Sequence, residues 1–115
     1  MHYIYLKGRI ELAAAVEIKF RTNKLQRCYE RHSEAERAYG AEVARKYIQR
    51  IAIIKSAKSI NELCALPGLR CHPLKGNRAD QWAINLNGFH RLIFTLSGET
   101  LQIACIEEVS KHYDD

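Results

Sequence analysis

A chain of 115 residues with 47% hydrophobic and 27% charged side chains suits one globular domain, large enough for a single core without disulfide staples. It contains no transmembrane run, and its start, MHYIYLKGRIELAAA, is broken by Lys7, Arg9 and Glu11 and makes a poor signal peptide, so the expected location is the cytoplasm. The net charge of +5 is uneven: residues 1–60 hold 13 Lys/Arg against 6 Asp/Glu and residues 61–115 hold 5 against 7, so the first half either faces an anion, such as RNA or an acidic protein, or is plain solvated surface.

In chain order, residues 1–15 stand apart as an N-terminal extension, read either as a short extra strand or arm or as the product of an upstream start codon. Val16, Ile18 and Phe20 alternate with Glu17, Lys19 and Arg21, the period of a half-buried strand. Asn23 is placed to cap a short helix with Leu25, Cys28 and Tyr29 on one face, and Ser33 with Glu36 fits a capping box. Gly40 kinks or interrupts the helical run after it. From Ala41 to Lys58, apolar residues recur at three- and four-residue spacing, Val43, Ala44, Tyr47, Ile48, Ile51, Ala52 and Ile54, which predicts a helix with Glu42, Arg45, Lys46, Gln49 and Arg50 on its other face. Ser59 and Glu62 make a second capping box, opening a helix that Pro67-Gly68 ends. Strands are expected at 69–72, 81–86, 89–96 and 100–107, with Asn87-Gly88 and Ser97-Gly98 as hairpin turns. The order of strand, helices and antiparallel meander gives an α+β fold class, with two to three helices packed on one sheet face and the other face open.

The Asn87-Gly88 turn decides where Arg91 points. A two-residue loop sets Ile84 opposite Arg91 and puts the cation among Trp82 and Ile84. A three-residue loop, Leu86-Asn87-Gly88 with Gly88 left-handed in a bulge, pairs Asn85 with Phe89 and sends Arg91 to the open face. Burying an unpaired guanidinium costs several kcal/mol, far more than a bulge, so the three-residue loop is expected.

Chemistry concentrates between Leu66 and Leu96, where His72, Lys75, Arg78 and Arg91 stand with Asp80 as the only acid. A histidine can move a proton near neutral pH, and cations can hold the charge of a phosphorane. Pro73 and Gly76 hold His72 on a constrained loop; the alternative is a surface histidine that only hydrogen-bonds that loop. Lys75 and Arg78 suit phosphate contacts or plain solvation. Phe89 either stacks a base or packs beside the turn. Trp82 is expected in the core, and His32 and His90 as structural or exposed. Cys28, Cys64, Cys71 and Cys105 never form C-x-x-C and read as reduced core or half-core thiols. No metal site and no cofactor are expected, since no Asp/Glu/His cluster has ligand spacing.

The stretch LPGLRCHPLKGNRADQWAINLNGFHRLIF resembles the RelE/ParE superfamily of bacterial type II toxins, most closely its HigB-like branch. Leu66-Pro67, the run His72-Pro73-Leu74-Lys75-Gly76, then Gln81-Trp82 and Arg91 carry the resemblance, which extends over residues 16–115 as one toxin domain. It implies a RelE-like fold and a toxin that cleaves mRNA on the ribosome without a metal. It also implies a cognate helix-turn-helix antitoxin as partner, and through that antitoxin a higher-order complex on operator DNA. His72 and Arg91 would belong to the catalytic set, with Lys75, Arg78 and Phe89 toward RNA. Many HigB-like members end their last strand with Asp-Tyr-His; here that slot reads Glu107-Glu108-Val109-Ser110, with His112 and Tyr113 following. Glu108 would match the aspartate, while His112 and Tyr113 would have to swing back to fill the rest. The ParE-like members of the superfamily instead poison DNA gyrase, and a degenerate toxin would only bind its antitoxin.

Overall fold

A computed structural model describes residues 16–78, 80–97 and 103–111, together with the backbone of two strands before them, β1 (Tyr3–Leu6) and β2 (Arg9–Leu12). These two pair antiparallel as a hairpin, Tyr3 opposite Leu12.

Strand β3 (Glu17–Phe20) comes next, with Ile18 and Phe20 turned to the core as their alternation requires. Helix α1 (Asn23–Glu30) is capped by Thr22, one residue earlier than expected: its hydroxyl oxygen accepts from Leu25 N–H at 3.1 Å. The expected Ser33 cap is also displaced, because α2 (His32–Tyr39) begins after the single residue Arg31 and takes Ser33 into its first turn. Gly40, at φ +86°, ends α2 and starts α3 (Ala41–Ser56); that left-handed φ is where a residue without Cβ is favoured. Ser59 caps α4 (Ile60–Ala65) through a 3.0 Å bond from Glu62 N–H.

The helices cover one face of a sheet ordered β3-β7-β6-β5-β4, with β4 (His72–Pro73), β5 (Gln81–Asn85), β6 (His90–Ser97) and β7 (Ile103–Lys111). The four C-terminal strands form the expected antiparallel meander, and β3 adds to its outer side parallel to β7. The last strand runs four residues further than expected, so Glu107 and Glu108 lie within it rather than at its end. Tyr47, Ile51 and Ile54 of α3 meet Ile84, Leu92, Phe94 and Ile106 in the fully buried core. The Tyr47 hydroxyl donates to the Leu25 carbonyl at 2.7 Å, tying α3 to α1, and Trp82 packs half-buried against the same core.

Asn85 pairs with Arg91, not with Phe89. The loop does hold three residues, but they are Asn87, Gly88 and Phe89, and Gly88 is not left-handed. The Asn87 carboxamide oxygen explains the shift, because it accepts from the N–H groups of Phe89 and His90 at 2.9 and 2.7 Å. An Asx turn of this kind closes the loop without a left-handed residue. Both registers leave the same parity, so Arg91 still sits on the face opposite Ile84 and Leu92.

Candidate active site

The face turned away from the helices carries transverse rows read directly from strand register. His72 of β4 pairs with Ala83, Ala83 with Ile93, and Ile93 with Glu108 of β7. One row along, Asn85 pairs with Arg91 and Arg91 with Ser110. Ala83 and Ile93 are fully buried yet lie outside the main core cluster, so they form an apolar floor beneath the polar side chains around them.

His72 is exposed on this face, and its Nδ1 lies 2.7 Å from the Arg70 carbonyl oxygen. A carbonyl oxygen only accepts, so Nδ1 carries the proton and Nε2 is left to exchange one with a ligand. The carbonyl is aimed by Arg70 itself, whose φ of +49° is a left-handed conformation that L side chains rarely adopt. Asn85 N–H holds the same loop through Leu69 O at 2.7 Å. Strain kept in place by surrounding bonds is characteristic of functional sites.

Arg70, His72, Ala83, Asn85 and Arg91 line a cleft of about 320 Å³. Arg91 is half-buried and its Nε is shut off from solvent. Two guanidinium groups and an imidazole around an Ala floor can take a single phosphodiester, since Arg matches the geometry of phosphate oxygens. Arg70 and Asn85 were not singled out in the sequence. The left-handed φ of Arg70 has no local signature, and Asn85 joins the cleft only through its pairing with Arg91.

The other expected site residues are dispersed. Lys75 is exposed on the loop after β4 and is not among the residues lining the cleft. Arg78 closes a short 3-10 turn, Gly76–Arg78, where its Nε donates to Gln81 Oε1 at 2.8 Å and its Nη2 to Glu108 Oε1 at 3.1 Å. Glu108 projects here because β7 slips register between its pairings with Ile93 and Phe94. Ile106 and Val109, three apart, both pack on the core, so the bulge sends Glu107 and Glu108 to the open face together. Glu107 accepts from Thr95 Oγ1 at 3.0 Å and lies 3.9 Å from Arg21. Three strand spacings put the His72 and Glu108 backbones about 14 Å apart, with Arg91 and Ser110 in the adjacent row. Phe89, 58% exposed, stands at the tip of the β5–β6 turn. His112 and Tyr113 lie outside the described residues.

Among the basic residues of α3, Arg45 is exposed and Lys46 half-buried, while Arg50 reaches over the sheet end and donates through Nε to the Asn85 carbonyl at 3.2 Å. Burial lowers the Arg50 guanidinium from its ordinary value. His90 is held by Asn87 Oδ1 at 3.0 Å and His32 by Glu36 at 3.3 Å, in keeping with structural roles. No group of three metal-ligating side chains occurs among the described residues.

Residues 18–106 match the family model of the HigB-like toxins, described as the RelE-like toxin of the type II toxin–antitoxin system HigB. The chain belongs to this family. Solved structures agree on the fold of this toxin. A YoeB/ParE toxin from Agrobacterium tumefaciens is 22% identical, with a TM-score of 0.60 over 85% of this chain and 100% of that one. YoeB in the YoeB–YefM complex from Staphylococcus aureus is 19% identical, with a TM-score of 0.57 over 87% and 100%. The DinJ–YafQ toxin–antitoxin complex of E. coli contains a chain 15% identical, with a TM-score of 0.56 over 85% and 93%. No curated protein matches the toxin. No helix among the described residues is long and apolar enough to cross a membrane.

Proposed function

We propose that this HigB-like toxin is a metal-independent endoribonuclease that cuts mRNA on the ribosome and so stops translation in the cytoplasm. The observation carrying this reading is His72, pinned at Nδ1 by the Arg70 carbonyl and presenting Nε2 beside Arg70 and Arg91. RNA brings its own nucleophile, the 2′-hydroxyl, so the protein needs only to move protons and hold phosphorane charge. His72 moves one proton at Nε2, and Arg91 and Arg70 hold the phosphate oxygens. At the far end of the row, Glu108 is the second proton-transfer group, with His112 and Tyr113 as the alternatives from the C-terminus. Lys75 and Arg78 meet neighbouring phosphates, and Phe89 stacks a base at the tip of the turn.

The partner is a helix-turn-helix antitoxin, which would also carry the toxin to operator DNA. The complexes recorded for YoeB with YefM and YafQ with DinJ support an antitoxin as the partner. Expression in cells with primer extension on a reporter mRNA tests the reading: the unaltered toxin cuts the message, and His72→Ala and Arg91→Ala do not. Growth arrest with intact mRNA and stalled replication would replace it with gyrase poisoning. Arrest and cleavage at the same sites by His72→Ala, Arg91→Ala and His112→Ala would refute the assigned chemistry.

A further inference from the structure

The β4–β5 ladder stops one hydrogen-bonded pair short, and the missing pair falls at the segment that aims His72. In an antiparallel ladder every second facing pair exchanges both backbone hydrogen bonds. His72 faces Ala83, and Leu74 N–H donates to the Gln81 carbonyl at 2.8 Å. Continued by two residues, this alternation makes Arg70 and Asn85 the next bonded pair. That exchange is not made. Asn85 N–H donates to the Leu69 carbonyl at 2.7 Å, and the Asn85 carbonyl accepts from Arg50 Nε of α3 at 3.2 Å.

The slip has two effects. It releases the Arg70 carbonyl, at the left-handed φ of +49°, to accept from His72 Nδ1 at 2.7 Å. It also takes from the half-buried Asn85 the donor that Arg70 N–H would have supplied, and a backbone acceptor away from water needs a partner. Arg50 is that partner. An ionised donor makes a stronger hydrogen bond than a peptide N–H, so it competes well with Arg70 for this carbonyl.

We propose that Arg50 is a positioning residue for His72: by occupying the Asn85 carbonyl it keeps Arg70 out of the ladder, so that the Arg70 carbonyl stays on His72 Nδ1. Without Arg50, the empty Asn85 carbonyl draws in the Arg70 N–H, and the regular pair forms. A left-handed φ at a residue with a side chain is strained, which favours this return to extended backbone. The Arg70 carbonyl then accepts from Asn85 N–H and releases His72. The imidazole reverts to the Nε2-protonated tautomer that free histidine favours, and the nitrogen offered to the cleft can no longer take a proton.

The effect on cleavage rests on the nuclease reading above; the effect on His72 does not. Arg50→Met keeps the apolar stem and removes the donor, and Arg50→Gln keeps a polar end too short to reach. Arg50→Lys keeps a charged donor of nearly full length. In the full chain with isotope-labelled histidine, ring nitrogen shifts read the tautomer of His72, and cleavage is measured on programmed ribosomes. The expected result for Arg50→Met and Arg50→Gln is a ring protonated at Nε2, with kcat lower by roughly ten- to a hundredfold and KM little changed. Arg50→Lys should recover the Nδ1-protonated ring and most of kcat. Should Arg50→Met not fold, Arg50→Gln carries the test. A His72 ring still protonated at Nδ1 in either variant would overturn the role of Arg50. An unaltered toxin that cuts no RNA would overturn the nuclease reading instead, with the His72 tautomer still deciding what Arg50 does.

Discussion

Glu108 holds Arg78 at 3.1 Å, and Glu108→Gln should make the toxin bind RNA more tightly while cutting it more slowly. The two side chains are 38% and 43% exposed, so their pairing contributes about 0–1 kcal/mol to stability and the variant should stay folded. Its main effect is on charge. Removing one negative charge some 6 Å from a bound phosphate, in surroundings close to water, is worth about 0.7 kcal/mol. That corresponds to roughly threefold tighter binding. Freed from Glu108, Arg78 also becomes available to a phosphate, which should steepen the dependence of log affinity on log salt by about 0.7 for single-stranded RNA. Fluorescence anisotropy on a 2′-O-methyl oligonucleotide, which the toxin cannot cut, reads both quantities across a salt series. On a cleavable message the saturating rate should fall, because the same substitution removes the carboxylate proposed as the second proton-transfer group. Unchanged affinity with an unchanged salt slope would refute the placing of this ion pair at the RNA-binding face.

Other substitutions probe the frame and the partner surface. Tyr47→Phe should lower stability by about 1 kcal/mol, because it leaves the Leu25 carbonyl without the buried hydroxyl at 2.7 Å; urea denaturation checks this. Burial raises both the Tyr47 phenol above its ordinary 10.0 and the Cys71 thiol above its ordinary 9.0. The unfolded chain therefore gives up these protons first, and stability, full below pH 9.0, should fall as pH rises beyond it. Urea midpoints from pH 8 to 10.5 would follow the loss; a flat profile would contradict the burial of these groups. Arg45→Glu with Lys46→Glu should weaken antitoxin binding more at low than at high salt, read by titration calorimetry. Equal affinity at low salt would mark these residues as plain solvated surface.

The sequence exposed periodic features and hid those that depend on register. The spacing of Val43, Tyr47, Ile51 and Ile54 made α3 legible because one face of a long helix must be apolar to be buried. Arg91 fell on the open face for a reason that survives a register error: parity alone separates it from Ile84 and Leu92. The register itself was misread, since the turn is closed by the Asn87 side chain rather than by a left-handed Gly88. The placement of Glu107 and Glu108 was equally illegible, because a bulge breaks the period of two on which strand reading rests. Position 31 shows the same limit in a helix. One residue, Arg31, separates α1 from α2, and the Ser33–Glu36 capping box places the second start two residues late because the true cap, Arg31, makes no side-chain capping bond. At the site, His72 was legible as chemistry, but its partner was a backbone carbonyl, and a carbonyl carries no residue identity.

The most direct test of the account is the rate at which His72→Ala cuts mRNA on a programmed ribosome, measured alongside its binding to the antitoxin. General acid–base catalysis contributes about two to four decades, so proton transfer by His72 predicts a loss of that size with antitoxin binding unchanged. Cleavage at the same sites within a few-fold of the unaltered rate would contradict it.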